Sequence, residues 1–273
     1  MRMTLAITFV VCTSVSAVCG QQAEAPQSSV PALLNKLHSN NWIERSDAVD
    51  EIRSDPDALR SQKIRATLID LLDRENRETD EAFRKAQTIN HQKPNAADEQ
   101  EGAEEGYGEY CAWLADTVSS FVDWNDPRQV CILVNAATVL YPPSAAESAA
   151  RARAAMPCIL KMAKGDLAIN RAIAIPMLVE ALARGRDTLD SKTVQSAKEA
   201  ILNDLHDSDA GVRGGTVVAL GKYGGIDMIP ALQEIAHADP ASEKTDNGGL
   251  WFPIRKSAAE AIAEIQQRTQ ALN

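Results

Sequence analysis

The amino-acid sequence predicts an all-α protein, a right-handed α-solenoid of about six stacked antiparallel helix pairs with no β-sheet. Apolar residues recur at spacings of three and four along nearly the whole chain after residue 29. The breaks between these segments are mostly short and polar, and one arginine-containing pattern recurs. Aromatic residues make up only 4% of the chain, so the core must consist of Ala, Leu, Ile and Val, which suits closely packed helices.

The N-terminus has the pattern of a secretory signal peptide. Arg2 forms a short basic region, the stretch from Met3 to Val18 is largely apolar, and Gly20 lies at a plausible cleavage site. An uncleaved membrane anchor is the alternative, but the apolar segment is short for a span and lacks flanking charge. We therefore expect export to a periplasmic or extracellular location. Lipidation at Cys19 is not expected, because Val18 stands where a lipidation signal has a small residue.

Composition and periodicity divide the chain into five parts. They are a signal peptide (1–20), a polar linker (21–29), N-terminal helical repeats (30–90), an acidic linker (91–106) and C-terminal helical repeats (107–270). The acidic linker is predicted because carboxylates accumulate there with no basic residue after Lys93.

Charge and motifs exclude several classes of function. The formal net charge is -10, and such an acidic chain repels phosphate backbones, so nucleic-acid binding is not expected. No Cys-x-x-Cys pair, Cys/His zinc spacing or calcium-loop ligand set occurs. We expect no metal, no cofactor and no catalytic residues.

An internal repeat connects distant parts of the chain. Residues 33–41 (LLNKLHSNN) align without a gap with residues 201–209 (ILNDLHDSD). In each of four copies an arginine is followed three residues later by Ala or Thr, and seven residues later by Leu or Ile. The four arginines are Arg45, Arg171, Arg213 and Arg255. Positions three and seven beyond an arginine share a helix face, which we interpret as the buried seam between stacked helices.

These units resemble HEAT repeats, in particular the short HEAT-like type also found in phycobilin lyases. The stretch SDAGVRGGTVVALGKYGGIDMIPALQEIAHAD is the most typical, and the resemblance covers roughly residues 156–268 and 30–53. It implies a ladder between repeats, in which each arginine works with an Asp or Asn of the preceding turn. The matching pairs are Asn41 with Arg45, Asp166 with Arg171, Asp209 with Arg213, and Asp239 with Arg255.

The glycine-rich segment GTVVALGKY has some likeness to a phosphate-binding loop. Its glycines, Gly215 and Gly221, are separated by five residues rather than four, and Tyr223 stands where Ser or Thr is required. We therefore interpret the segment as the second helix of a repeat, ended by Gly224 and Gly225 in left-handed geometry.

Gly214 and Gly215 remain unusual, because glycine inside a helix costs about 1 kcal/mol relative to alanine. Neutral drift or close packing between repeats is the favoured explanation. The alternative is that a partner protein docks on this face and contacts both glycines.

The cysteines and aromatic residues supply the remaining candidates. Cys111 and Cys131 lie on two consecutive predicted helices and could form a disulfide; the alternative is that they and Cys158 are buried hydrophobic side chains. Tyr107, Tyr110 and Trp113 concentrate aromatic side chains in one zone, and Trp251 and Phe252 follow a long polar loop. Aromatic residues are enriched at interaction hot spots, so these five are candidate partner contacts, with core packing as the alternative.

The sequence thus predicts an exported, non-catalytic scaffold for protein–protein interaction. Two other functions stay open. The resemblance allows an enzyme on a HEAT-like fold, similar to a bilin lyase or a DNA glycosylase, although export separates the chain from such cytoplasmic substrates. A structural protein associated with the cell envelope is the other.

Overall fold

A computed structural model describes residues 29–55, 57–92, 101–137, 144–245 and 249–271. The predicted signal peptide, Cys19 and nearly all of the polar linker lie outside these ranges. The described residues form eleven α-helices: α1 (Val30–Leu37), α2 (Trp42–Ser54), α3 (Gln62–Gln92), α4 (Glu101–Ser119), α5 (Pro127–Asn135), α6 (Ala145–Ala163), α7 (Ala168–Gly185), α8 (Ser191–Leu205), α9 (Ala210–Tyr223), α10 (Ile229–Ala238) and α11 (Pro253–Ala271).

The all-α class is confirmed, but the expectation that no β-sheet occurs is wrong. Strand β1 (Glu243–Lys244) pairs in antiparallel register with strand β2 (Leu250–Trp251), and the two form a small hairpin between α10 and α11. Each strand has only two residues, which is too short for an alternating pattern to be visible in the sequence. The long polar loop therefore contains a local pairing that periodicity does not reveal.

Five pairs, each made of two consecutive helices, account for most of the described chain. They are α1 with α2, α3 with α4, α6 with α7, α8 with α9, and α10 with α11, while α5 lies between the second and third pairs and packs mainly on α6. Helix α9 contacts both α7 and α11, and α8 contacts both α6 and α10. The last three pairs therefore form two layers, with the second helices of the pairs in one layer.

Polar side chains set where many helices begin. Each accepts a hydrogen bond from a backbone N–H of the first turn that would otherwise lack a partner, a contact of roughly 1 kcal/mol. The capping residues of α2, α5, α6, α8 and α9 are Asn41, Asp126, Ser144, Asp190 and Asp209.

Two hydrophobic clusters meet at α5 and do not divide at the predicted acidic linker. Tyr110 and Leu114 of α4 are fully buried in the first cluster, with side chains from α1, α2 and α3. The second cluster extends from α5 to α11, and the partly buried Trp124 packs against both. Helix α4 (Glu101–Ser119) thus packs with the N-terminal helices, although composition divides it between the predicted acidic linker (91–106) and the predicted C-terminal repeats (107–270).

The structure corrects the predicted disulfide. Cys131 of α5 is bonded to Cys158 of α6, with 5.2 Å between their Cα atoms, and Cys111 of α4 is free. Sequence proximity favours the consecutive helices α4 and α5. However, α5 makes its main contact with α6, which brings Cys158 to Cys131.

The structure also corrects the role of the glycines that follow α9. Gly224 has φ -65° and ψ 156°, and Gly225 has φ -97°, so neither adopts the left-handed conformation. A Cβ atom on Gly224 would lie 2.5 Å from the carbonyl oxygen of Leu220. Gly224 is therefore required because the chain passes too close to the helix end for a side chain.

We expect two glycines of α9 to respond in opposite directions to alanine substitution. A Cβ atom on Gly214 would meet Ile254 at 3.8 Å, an ordinary contact, whereas on Gly221 it would lie 3.1 Å from the Cβ and 3.2 Å from the Cα of Ala261. Gly214→Ala should raise the free energy of unfolding by about 0.5–1 kcal/mol through helix propensity. Gly221→Ala should lower it by about 1–3 kcal/mol, because α9 and α11 must separate.

Urea unfolding of the two variants, monitored by circular dichroism, measures both changes under one condition. Gly215→Ala is a second comparison, because its added Cβ would meet only the carbonyl oxygen of Ala172, at 3.9 Å. Equal effects of Gly214→Ala and Gly221→Ala would contradict the close approach of α9 to α11.

Candidate functional site

Arginine side chains at the starts of successive second helices form a ladder through the C-terminal pairs. Arg171 donates from Nη1 to the carbonyl oxygens of Gly165 and Asp166, at 3.0 and 2.9 Å. Its Nε and Nη2 bind both carboxylate oxygens of Asp207, at 2.7 and 3.1 Å. The guanidinium therefore links the turn before its own helix to the next helix pair.

Arg213 repeats this geometry one pair further along the chain. Its Nη1 donates to the carbonyl oxygens of Asp207 and Ser208, and its Nε and Nη2 bind the Asp239 carboxylate at 2.6 and 3.2 Å. Arg255 then donates from Nε to the carbonyl oxygen of Asp239 at 2.7 Å. Arg171 and Arg213 thus each join their own helix pair to the next through a bidentate, charge-assisted contact, whereas the Arg255 contact lies within the last pair.

The acids implied by the resemblance are mostly not the ladder acids. Asn41 and Asp209 cap α2 and α9, and the exposed Asp166 carboxylate forms an ion pair with Arg84 of α3. Of the four expected partners, only Asp239 accepts a ladder arginine through its side chain, and that arginine is Arg213 rather than the expected Arg255. Asn41 and Asp209 are used by their own helix ends, where backbone N–H groups need acceptors.

Sequence reasoning missed Asp207 as a ladder acid. Asp207 and Asp239 both follow the first helix of a pair, two residues after Leu205 and one residue after Ala238. Burial by itself would raise their pKa values. Hydrogen bonds from the facing arginine and from a backbone amide outweigh that effect and hold both pKa values below the ordinary range.

The arginine of the first pair lies in a different buried network. Arg45 donates to the carbonyl oxygen of Ser39, like the other ladder arginines, but its carboxylate partner is Glu75 of α3, with Nε and Oε1 2.9 Å apart. The hydroxyls of Tyr107 and Tyr110 also donate to Glu75, at 2.5 and 3.1 Å. Four polar side chains from α2, α3 and α4 satisfy one another inside the first cluster.

This network explains most of the aromatic zone that the sequence marks as a candidate contact. Tyr110 is fully buried, so it is not accessible to a partner, and burial raises its pKa and that of Tyr107. Trp113 is half-buried under the Arg53 guanidinium, 5.3 Å from the ring centroid. Burial also raises the pKa of the free Cys111 thiol to about 11, which keeps it protonated at neutral pH and weakly nucleophilic.

The hairpin after α10 carries the candidate contact with the most exposed apolar surface. Trp251 is 43% exposed and its neighbour Leu250 is 61% exposed. Phe252 is half-buried beneath the Arg255 guanidinium, 3.9 Å from its ring centroid. By contrast, Gly214 and Gly215 are half-buried, near side chains or backbone of α11 and α7.

Asp204 of α8 is a buried carboxylate beside the ladder. It is 5% exposed, and its Oδ2 has no hydrogen-bond partner. Burial, together with the negative charge of Asp207, raises the pKa of Asp204 from its ordinary value of 3.8 to about 6. The native state therefore binds this proton more tightly than the unfolded state. Protonation of Asp204 therefore stabilises the native state below pH 4, and this stabilisation is lost as the pH rises through 6.

We expect Asp204→Asn to stabilise the protein at neutral pH. A pKa shift of this size corresponds to about 3 kcal/mol, and the amide's own need for hydrogen bonds reduces the expected gain to roughly 2 kcal/mol at pH 7.5. The gain should fall towards zero at pH 4. Urea unfolding at the two pH values measures it, with Asp190→Asn at the other end of α8 as the control, since Asn caps a helix as well as Asp. An equal gain at both pH values would contradict the proton linkage.

No protein-family model matches the chain, and no curated protein matches it significantly. The resemblance to HEAT-like repeats therefore rests on the repeated residues of the sequence. None of the described helices combines the length and apolarity needed to cross a membrane. Within the described ranges, His, Cys, Asp and Glu side chains nowhere converge in groups of three or more that could hold a metal ion.

Proposed function

We propose that the chain is an exported α-solenoid of HEAT-like repeats that acts as a non-catalytic scaffold and binds another protein. The observation that carries the proposal is the repeated ladder geometry, in which Arg171 and Arg213 make equivalent contacts to their own turn and to the next helix pair. Equivalent contacts at each step are what stacked repeats require. A stack of this kind presents an extended surface, which is the usual use of repeat architectures.

Two further features support export, and a third supports a structural rather than a catalytic role for the buried charges. The N-terminal pattern is that of a signal peptide, and the Cys131–Cys158 disulfide suits an oxidising compartment. The strongly buried ionisable side chains form two structural ion pairs, Arg45 with Glu75 and Arg213 with Asp239. These groups stabilise the stack and are not directed at a common reaction centre.

The hairpin is the contact that we assign to the partner. Insertions between the helices of repeat proteins commonly supply binding loops, and Trp251 and Leu250 expose apolar surface at such an insertion. Aromatic side chains on a protein surface bury a large area in a complex at low conformational cost.

Cross-linking and affinity capture from the exported fraction test this function. The wild-type chain should recover a defined protein, and Trp251→Ala should weaken its capture by at least about tenfold. Leu202→Ser, which alters another exposed apolar residue (39% exposed) on α8, should not. The interaction should then be reproduced with the two purified proteins. Recovery of no protein, or equal recovery by all three chains, would overturn the proposal.

A further inference from the structure

A cleft of about 510 Å³ lies where the two hydrophobic clusters meet, away from both the ladder and the hairpin. The last turns of α2 and α4 form one side of the cleft, and α6 contributes Arg151. Trp124, which packs against both clusters, lies under Arg151. Ligand sites favour such junctions, and this volume falls in their usual range of roughly 300–1,000 Å³.

Two arginines give the cleft its cationic groups, in a chain whose net charge is -10. Arg53 stacks on Trp113 and Arg151 stacks on Trp124, with guanidinium carbons 5.3 and 4.7 Å from the ring centroids. Stacking on an indole face holds a guanidinium in place, and its N–H donors lie in the plane of the group. Such donors match a carboxylate, which accepts two parallel hydrogen bonds.

Oxygen atoms that attract cations come from the C-terminal end of α4. Thr117 donates its hydroxyl hydrogen to the backbone carbonyl oxygen of Trp113. Ser119 and Ser120 donate theirs to the backbone carbonyl oxygens of Asp116 and Thr117, and all three distances are 2.7 Å. These hydroxyls therefore offer only acceptor lone pairs to the cleft. The Asp116 carboxylate and the negative end of the helix dipole add to this oxygen-rich, cation-attracting surface.

The cleft therefore places anion-binding and cation-binding groups side by side. Arg53 and Asp116 are 3.8 Å apart between Nη2 and Oδ2, which is long for a charge-assisted hydrogen bond. We propose that this cleft binds a small zwitterion, a free amino acid or short peptide. Its carboxylate binds the arginines, and its ammonium group binds Asp116 and the hydroxyl oxygens of α4. This inference is independent of the scaffold function.

Calorimetric titration of the purified protein with three matched dipeptides tests the proposal. L-alanyl-L-alanine should bind. Its N-acetyl derivative, which lacks the ammonium, and its C-terminal amide, which lacks the carboxylate, should each bind at least about tenfold more weakly. If the N-acetyl form bound as tightly as L-alanyl-L-alanine, the cleft would be a simple anion site. If the amide bound as tightly, the cleft would be a simple cation site. Either result, or no binding of the dipeptide at millimolar concentration, would overturn the proposal.

Variants locate the site. Arg53→Met and Arg151→Met keep the aliphatic stem and remove the charge, and each should weaken dipeptide binding by at least about tenfold. Arg184→Met, which alters an arginine of α7 outside the cleft, should bind like the wild type. Thermal unfolding of each variant checks that it is folded, and two independent arginines keep the test valid if one variant is not. Wild-type affinity in both folded cleft variants would place the dipeptide elsewhere and overturn the assignment.

Discussion

Arg213→Met is expected to lower the free energy of unfolding by about 3–5 kcal/mol. The substitution keeps the aliphatic stem but leaves the Asp239 carboxylate, whose side chain is only 1% exposed, without its bidentate partner. A buried charge with no partner must stay desolvated or take up a proton, and both cost free energy. Urea unfolding at pH 7 measures the loss.

The pH dependence separates loss of the ion pair from loss of packing. In the wild type Arg213 helps to hold the pKa of Asp239 below its ordinary value. The ionised Asp239 carboxylate therefore stabilises the fold above pH 4, and this stabilisation is lost below pH 4. Without Arg213, burial dominates and the same pKa rises. The destabilisation by Arg213→Met should therefore be smaller at pH 4 than at pH 7.

Two further variants control this experiment. Asp239→Leu in the Arg213→Met background should recover at least about 1 kcal/mol, because the unpaired carboxylate is gone. Arg128→Met removes an exposed ion pair with Asp70 and should change the stability little. If the double variant were less stable than Arg213→Met, the unpaired carboxylate would not be the cause of the loss.

Removing the disulfide with Cys131→Ala and Cys158→Ala is expected to cost about 3–4 kcal/mol. The bond closes a loop between residues 27 positions apart, and the chain-entropy model gives a stabilisation of this size for such a loop. Urea unfolding of the oxidised wild type and of the double variant measures the difference.

Cys111→Ala is the matched control for the disulfide, because it removes the free thiol and leaves the bond intact. Its stability should stay close to that of the wild type. Peptide mapping without reduction should recover a peptide pair that joins Cys131 to Cys158. A pair that joins Cys111 to Cys131 would restore the pairing expected from sequence proximity and contradict the structure.

Local features of the sequence predict local features of the fold. Asn41 and Asp209 precede segments with helical period, and they cap α2 and α9. Arg45 and Arg213 share an alignment position, and each binds the carbonyl oxygen six residues before it. A helix period, a cap and a contact within one turn depend on residues close in sequence, so their pattern is visible in one chain.

The sequence by itself thus determined the helical class, the short polar breaks between most helices and the positions of the repeat arginines. Only the tertiary structure decided that Asp207 is a ladder acid, that Cys158 bonds Cys131, and that Gly221 is the glycine at a close approach. The pairing of the two-residue strands and the burial of Tyr110 were also decided only by the tertiary structure. Each of these depends on which distant segments meet and how closely, and helical periodicity specifies only which face of a helix is buried.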